Sequence, residues 1–157
     1  MAEENKSGLK IVAVNRHARH DFFILESFEA GIELKGSEVK SIREGTVNLK
    51  EGFAHVHKRE ILLEGVHISP YSHANQFGHE PVRTRRLLMH RREINRIEAD
   101  LQQQRLTLVP LRLYFKKGRV KVEIGLAKGK KLHDKREAIK EKESIRSMER
   151  AQRSRKP

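Results

Sequence analysis

Cysteine is absent from all 157 residues, which removes disulfides, thiolate metal sites and a thiol nucleophile together. Long apolar runs are missing as well. No stretch approaches a membrane span, and the opening "MAEENKSGLK" lacks the apolar core of a secretory signal. These absences suit a protein that stays in a reducing cytoplasm, with residues 1–10 as a flexible leader. Acidic residues are scarce relative to bases: 21 Asp and Glu face 34 Lys and Arg, a net charge of +13. That balance points to a polyanionic partner, and the chain length fits one compact domain plus an appendage.

Signatures of catalysis are missing too. "GLAKGKK" has three residues between its glycines and a second Lys where a phosphate-binding loop needs four residues and a Ser or Thr for magnesium. His55 and His57 share one face of an expected strand, but no third ligand stands at a recognisable spacing. Neither a nucleophile elbow nor a paired-carboxylate pattern occurs. The chain therefore reads as a binding module and not an enzyme, with no cofactor, metal, membrane or small-molecule substrate.

What is present is β-patterning. "FFILESFEAGIEL", 22–34, mixes aromatic and β-branched residues around Gly31 and predicts a bent or bulged strand. "GSEVKSIREG", 36–45, predicts a short helix capped by Ser37. "FAHVHK" and "EILLEGVHI" predict two strands joined at Lys58 and Arg59. "HRREINRIEADLQQ" places Ile94, Ile97 and Leu101 at helical spacing behind a His90/Glu93 capping box, a helix over 91–104. In 106–126, Leu111, Leu113 and Phe115 alternate with polar neighbours, as do Val120, Val122, Ile124 and Leu126 beyond Lys117-Gly118. That is a hairpin with Pro110 at an edge or bulge. The sum is a mainly β fold: a small OB-like antiparallel barrel over 11–129 with two or three short helices.

From Lys130 to Lys156 there is no Gly or Pro. Residues 128–157 hold twelve Lys or Arg against five acids, +7 of the chain's +13. Apolar side chains thin to Leu132, Ile139, Ile145 and Met148. Residues 130–157 are thus expected to be a basic tail, disordered when free and helical when a partner offsets the ordering cost. Further basic clusters stand in "RTRRLLMHRR", 83–92, and in "NRHARHDFF", which carries Arg16 and Arg19 beside two histidines and two aromatics. Few acids adjoin them in sequence, which favours RNA as partner over a merely solvated face. Composition alone leaves a second reading, a non-selective basic ribosomal or nucleoid-associated protein.

Four blocks carry a specific resemblance: "NRHARHDFFILESFEAGIELKGSEVKSIREGTVNLKEGFAHV", "HISPYSHANQ", "RTRRLLMHRREI" and "LVPLRLYFKKGRVKVEIGLAKGKKLHDKR". In order and spacing, from about Asn15 to Arg136, the chain resembles the bacterial SsrA-binding (small protein B) family. The resemblance implies an OB-type barrel that binds the tRNA-like domain of transfer-messenger RNA. It also implies delivery of that RNA, indirectly with elongation factor Tu, to the small subunit of ribosomes stalled without a codon. The barrel would replace the missing codon–anticodon stem, and the tail would lie as a helix in the empty messenger channel. Carried over by position, RNA contacts fall on Glu29, Leu88 and His90, with Lys128, Lys130 and Lys131 gripping phosphate. His20 matches the position facing the decoding centre, and Asp134, Lys135 and Arg136 match the triplet used at the ribosome. Phe22 stands where many members carry Tyr, which removes a hydroxyl there.

Overall fold

A computed structural model describes residues 4–5, 8–73 and 78–154. The ends of the expected leader and tail, 1–3, 6–7 and 155–157, lie outside the described residues, as do 74–77. In chain order the elements are β1 (Glu4–Asn5), β2 (Leu9–Val14), α1 (Arg16–Asp21), β3 (Phe22–Ile32), α2 (Gly36–Arg43), β4 (Val47–Asn48) and β5 (Phe53–His57). They continue with β6 (Glu60–Glu64), β7 (His67–Ile68), β8 (Arg85–Leu88), α3 (Arg91–Gln104), β9 (Thr107–Lys116), β10 (Arg119–Gly129) and α4 (Leu132–Ser154).

Strands β9, β10, β3, β8, β6 and β5 follow one another antiparallel, and β5 returns to β9 through the pair Ala54 and Leu108. The expected barrel is thus a closed ring of antiparallel strands. β2 and then β1 extend it from β9, and β4 with β7 form a separate ribbon. Leu9 and Lys10, expected in the leader, belong to β2 and pair with Lys116 and Phe115.

Two hairpins set the register. Lys117 and Gly118 both have positive φ, as do Lys58 and Arg59, the geometry that lets a two-residue turn follow the twist of its strands. The alternation past each turn then sends Leu113, Val122, Ile124 and Leu126, with Ile61 and Leu63, into one core. Ile42 of α2 and Ile94 and Ile97 of α3 join it. Each such side chain contributes about 1.5–3 kcal/mol by leaving water. The register slips between Glu123 and Ile124, opposite Arg112 and Pro110, leaving Leu111 as the extra residue. Pro110 therefore sits at a bulge in a strand paired on both sides. β3 carries the expected bulge as a second slip, opposite Leu126/Ala127, with Leu25 as the extra residue and away from Gly31.

α1 was not legible as a helix. The buried Asn15 builds it: the Asn15 side-chain oxygen accepts from the Ala18 N–H at 3.2 Å, while its amide donates to the Pro110 carbonyl at 2.9 Å. Ala18 then packs with Val109, Leu111 and Ala127 against Phe22 and Ile24, a small second core. In α2 the cap differs from expectation. Lys35 is the N-cap residue, its N–H donating to Glu38 Oε1 at 3.1 Å, while Ser37 bonds His79 at 2.9 Å.

"RTRRLLMHRR" proves not to be a uniformly free basic surface. Glu38 and Arg85 are both buried and directly paired, and Arg83 Nε reaches the same carboxylate at 2.7 Å. Arg85 also donates to the Val66 and Pro81 carbonyls. Arg86 pairs with Glu33 and Glu60. Burial acts to raise the Glu38 carboxyl, but hydrogen bonds from Arg85 and then Arg83 outweigh it and hold the group below its ordinary value. Two of the cluster's five arginines, Arg83 and Arg85, therefore tie α2 to β8 and the residues just before it.

Candidate nucleic-acid interface

Three of the expected RNA-contact residues meet in one open groove of about 520 Å³, lined by Glu29, Gly31, Leu88, Met89, His90, Glu93 and Lys121. The folding reason is direct. β3 pairs with β8 through Gly31 and Leu88, and with no side chain at Gly31 the two strands carry Leu88 close: a Cβ there would stand 3.2 Å from that of Leu88. Leu88 is 50 % exposed, an apolar residue standing near the charged Glu29, Glu93 and Lys121 of the same groove. His90 precedes α3, where its backbone N–H donates to Glu93 Oε2 at 3.3 Å.

Glu29 is fixed from behind. The Tyr114 hydroxyl donates to its Oε2 at 2.5 Å, and Lys116 Nζ lies 3.3 Å away. The Tyr114 hydrogen bond, opposed in part by burial and aided by Lys116 and Lys121, holds the Glu29 carboxyl below its ordinary value. Burial and then the carboxylate raise the Tyr114 phenol, so it remains a donor. A carboxylate has about four acceptor directions. Tyr114 takes one direction on Oε2 and Lys116 bridges both oxygens, and with the side chain 38 % exposed the carboxylate still lines the groove. Glu29 presents a pre-oriented, ionised acceptor, suited to an amino or hydroxyl donor and unsuited to a phosphate.

The remaining expected residues gather elsewhere. Arg16, Arg19 and His20 lie on α1, and Lys128, Lys130 and Lys131 lie at the end of β10 and just beyond it. Lys128 pairs with Phe23 at the opposite end of β3 from Gly31, so six residues at about 3.3 Å each place this cluster roughly 20 Å from Glu29. α1 and the start of α4 are joined there by Asp21. The Asp21 carbonyl accepts from the Lys130 N–H at 2.9 Å, and its carboxylate takes His20 Nδ1 at 2.9 Å and Lys135 Nζ at 3.3 Å. The His20 hydrogen bond and, after an opposing effect of burial, the Lys135 ammonium keep the Asp21 carboxyl below its ordinary value. Lys130 Nζ donates to the Arg19 carbonyl and stands 5.0 Å from the centre of the Phe23 ring. Asp134 Oδ2 accepts from the Lys131 N–H at 3.1 Å, closing the first turn of α4. From Leu132 on, α4 runs 23 residues, about 35 Å, with Arg136 and most later residues exposed.

Sequence reasoning missed Tyr114, Lys116, Lys121 and Asp21. Alternation puts Tyr114 and Lys116 on the strand face opposite Leu113, but only the pairing of β10 with both β9 and β3 brings that face to Glu29. Among the described residues no group of three or more His, Asp or Glu is placed to hold a metal, and no helix is long and apolar enough to cross a membrane.

Comparison with known proteins converges. The family model described as "SmpB protein" matches residues 12–154. The SsrA-binding protein of Geobacillus thermodenitrificans is 56% identical over 146 residues, covering 93% of this chain and 94% of that protein. That of Trichodesmium erythraeum is 55% identical over 152 residues, covering 96% and 97%. A solved chain described by the words "tmRNA-SmpB: a journey to the center of the bacterial ribosome" has a TM-score of 0.66 and 46% identity, covering 81% of this chain and 93% of that one. With the family model spanning 12–154 and relatives more than half identical over nearly the whole chain, this chain belongs to the SmpB, or SsrA-binding, protein family.

Proposed function

We propose that the protein binds the tRNA-like domain of transfer-messenger RNA and delivers it to stalled ribosomes for trans-translation, without catalysing a reaction itself. The observation that carries this is the groove joining Glu29, Leu88 and His90. An ionised acceptor beside an exposed apolar side chain suits an unstacked nucleotide, with Glu29 taking a base amino group or 2′-hydroxyl and Leu88 packing on a base or ribose. A general polyanion binder would not place a carboxylate there.

The second cluster supplies position. Arg16, Arg19, Lys128, Lys130 and Lys131 present cations to phosphates, which orient without specifying sequence. His20 faces the decoding centre of the small subunit, and Asp134, Lys135 and Arg136 start the tail that enters the empty messenger channel. Residues 11–129 and 130–157 thus divide the work: the first grips transfer-messenger RNA and the second reports the absence of a message. Elongation factor Tu is met only through the shared RNA, and the setting is the bacterial cytoplasm.

Titrating the protein with the tRNA-like half of transfer-messenger RNA, against an elongator tRNA and a DNA duplex at two salt concentrations, tests the reading. Selective binding that survives the higher salt is expected, because it requires recognition beyond counterion release. Loss of all discrimination between the three would overturn it.

A further inference from the structure

Leu88 does not border one groove alone. On its far side from Glu29 lies a second open groove of about 220 Å³, lined by Arg59, Glu60, Arg86, Leu87, Leu88, Met89, Arg91 and Ile94. Leu88 and Met89 line both. The three guanidinium groups here differ. Arg86 is neutralised by Glu33 and Glu60, whereas Arg59 and Arg91 have no carboxylate partner among the described residues. The Arg91 Nη1 donates instead to the Arg59 carbonyl at 2.7 Å. That bond ties the start of α3 to the turn between β5 and β6, and Arg59 holds its place in the turn with a φ of 64°. Two exposed cations therefore stand beside the ridge that divides the grooves, the Arg91 guanidinium held there by the Arg59 carbonyl.

We infer that Arg59 and Arg91 form a phosphate subsite for the same RNA strand that places a nucleotide against Glu29. The strand passes over Leu88, and its next phosphodiesters settle on the two guanidiniums. The inference rests on the RNA-binding reading above and adds what that reading does not contain. Glu29 accepts a donor on one side of Leu88, and the backbone anion is held on the other. A single strand crossing the ridge thereby meets a hydrogen-bond acceptor, an apolar wedge and a cation pair in order. Guanidinium suits this task because its fixed fork matches two phosphate oxygens.

The test is the salt dependence of binding by the full-length protein to the tRNA-like RNA, between about 50 and 200 mM salt. Each lost phosphate contact lowers the slope of log K against log salt by about 0.7–0.9, so Arg59→Gln with Arg91→Gln should lower it by about 1.4–1.8. Arg59→Lys with Arg91→Lys, which keeps both charges, should restore most of that slope. Arg105→Gln, beyond the other end of α3 and about 20 Å away by helix rise, should leave it unchanged. A wild-type slope in the double Gln variant overturns the subsite, as does an equal fall in Arg105→Gln. Selectivity of the wild-type protein over elongator tRNA, read in the same titration, separates the two levels. If selectivity holds while the slope does not move, the subsite alone fails; if selectivity is absent, the reading beneath it fails as well.

Discussion

Replacing Glu29 by Gln isolates the charge of the proposed RNA acceptor while keeping its shape. In the free protein the carboxylate accepts from Tyr114 at 2.5 Å and lies 3.3 Å from Lys116. The substitution weakens two contacts of a half-exposed group, so stability should fall by only about 1 kcal/mol. Binding should suffer more. A hydrogen bond to an ionised acceptor is worth about 1.5–3 kcal/mol, and Gln offers one acceptor oxygen where Glu offers two. Affinity for the tRNA-like RNA should therefore drop roughly 10- to 150-fold, measured by filter binding or fluorescence anisotropy at fixed salt. Tyr114→Phe should give a smaller loss, because the acceptor remains but is no longer held in place. The double variant should lose less than the sum of the two, since both act on one carboxylate. The depressed Glu29 carboxyl also sets a pH window: its charge is present at and above 4.5, its ordinary value, and is lost only as pH falls through the lower folded value. Unchanged RNA affinity in Glu29→Gln would refute the role assigned to the carboxylate.

Two further variants probe the scaffold. Glu38→Gln leaves Arg85 buried without its anion, which should cost about 3–5 kcal/mol and lower the melting temperature by about 6–20 °C; a change under about 2 °C would contradict the account of the α2–β8 tie. Because the folded Glu38 carboxyl lies below its ordinary 4.5, its contribution is complete above that pH and disappears as pH falls through the folded value. The wild-type and variant melting curves should therefore converge in acid. Asp21→Asn should leave affinity for the tRNA-like RNA nearly unchanged while freeing the base of α4. Amide exchange at Lys131–Lys135 should quicken and peptide tagging should weaken; unaltered exchange would show that Asp21 does not hold the tail.

Legibility in the sequence followed the range of the interactions. The hairpin of β9 and β10, the β5–β6 pair and α3 were readable, because period-two and period-3.6 patterns are local and their turns fall on Lys117-Gly118 and Lys58-Arg59. α1 was not, since six residues with one buried side chain, Ala18, show no periodicity. Its support comes from Asn15 reaching the Pro110 carbonyl, 95 positions away. The one local hint, an Asn three residues before Ala18, is an ordinary cap signal. Arg83 and Arg85 were misjudged for the same reason: their partner, Glu38, precedes them by 45 and 47 positions, and counting nearby charges cannot see it. Glu29 was singled out through the family resemblance, because a lone carboxylate on a strand has no sequence signature of RNA contact. Only the fold reveals that Tyr114 orients it and that Gly31 brings Leu88 beside it.

The most direct measurement is reconstituted peptide tagging on ribosomes stalled at the end of a message, with transfer-messenger RNA and elongation factor Tu supplied. The full-length protein is compared with a chain ended after Gly129, and binding of both to the tRNA-like RNA is checked in parallel. The account predicts tagging by the full-length protein and none by the shortened one, although both bind the RNA tightly. Full tagging by the shortened chain, or no tagging by either, would contradict it.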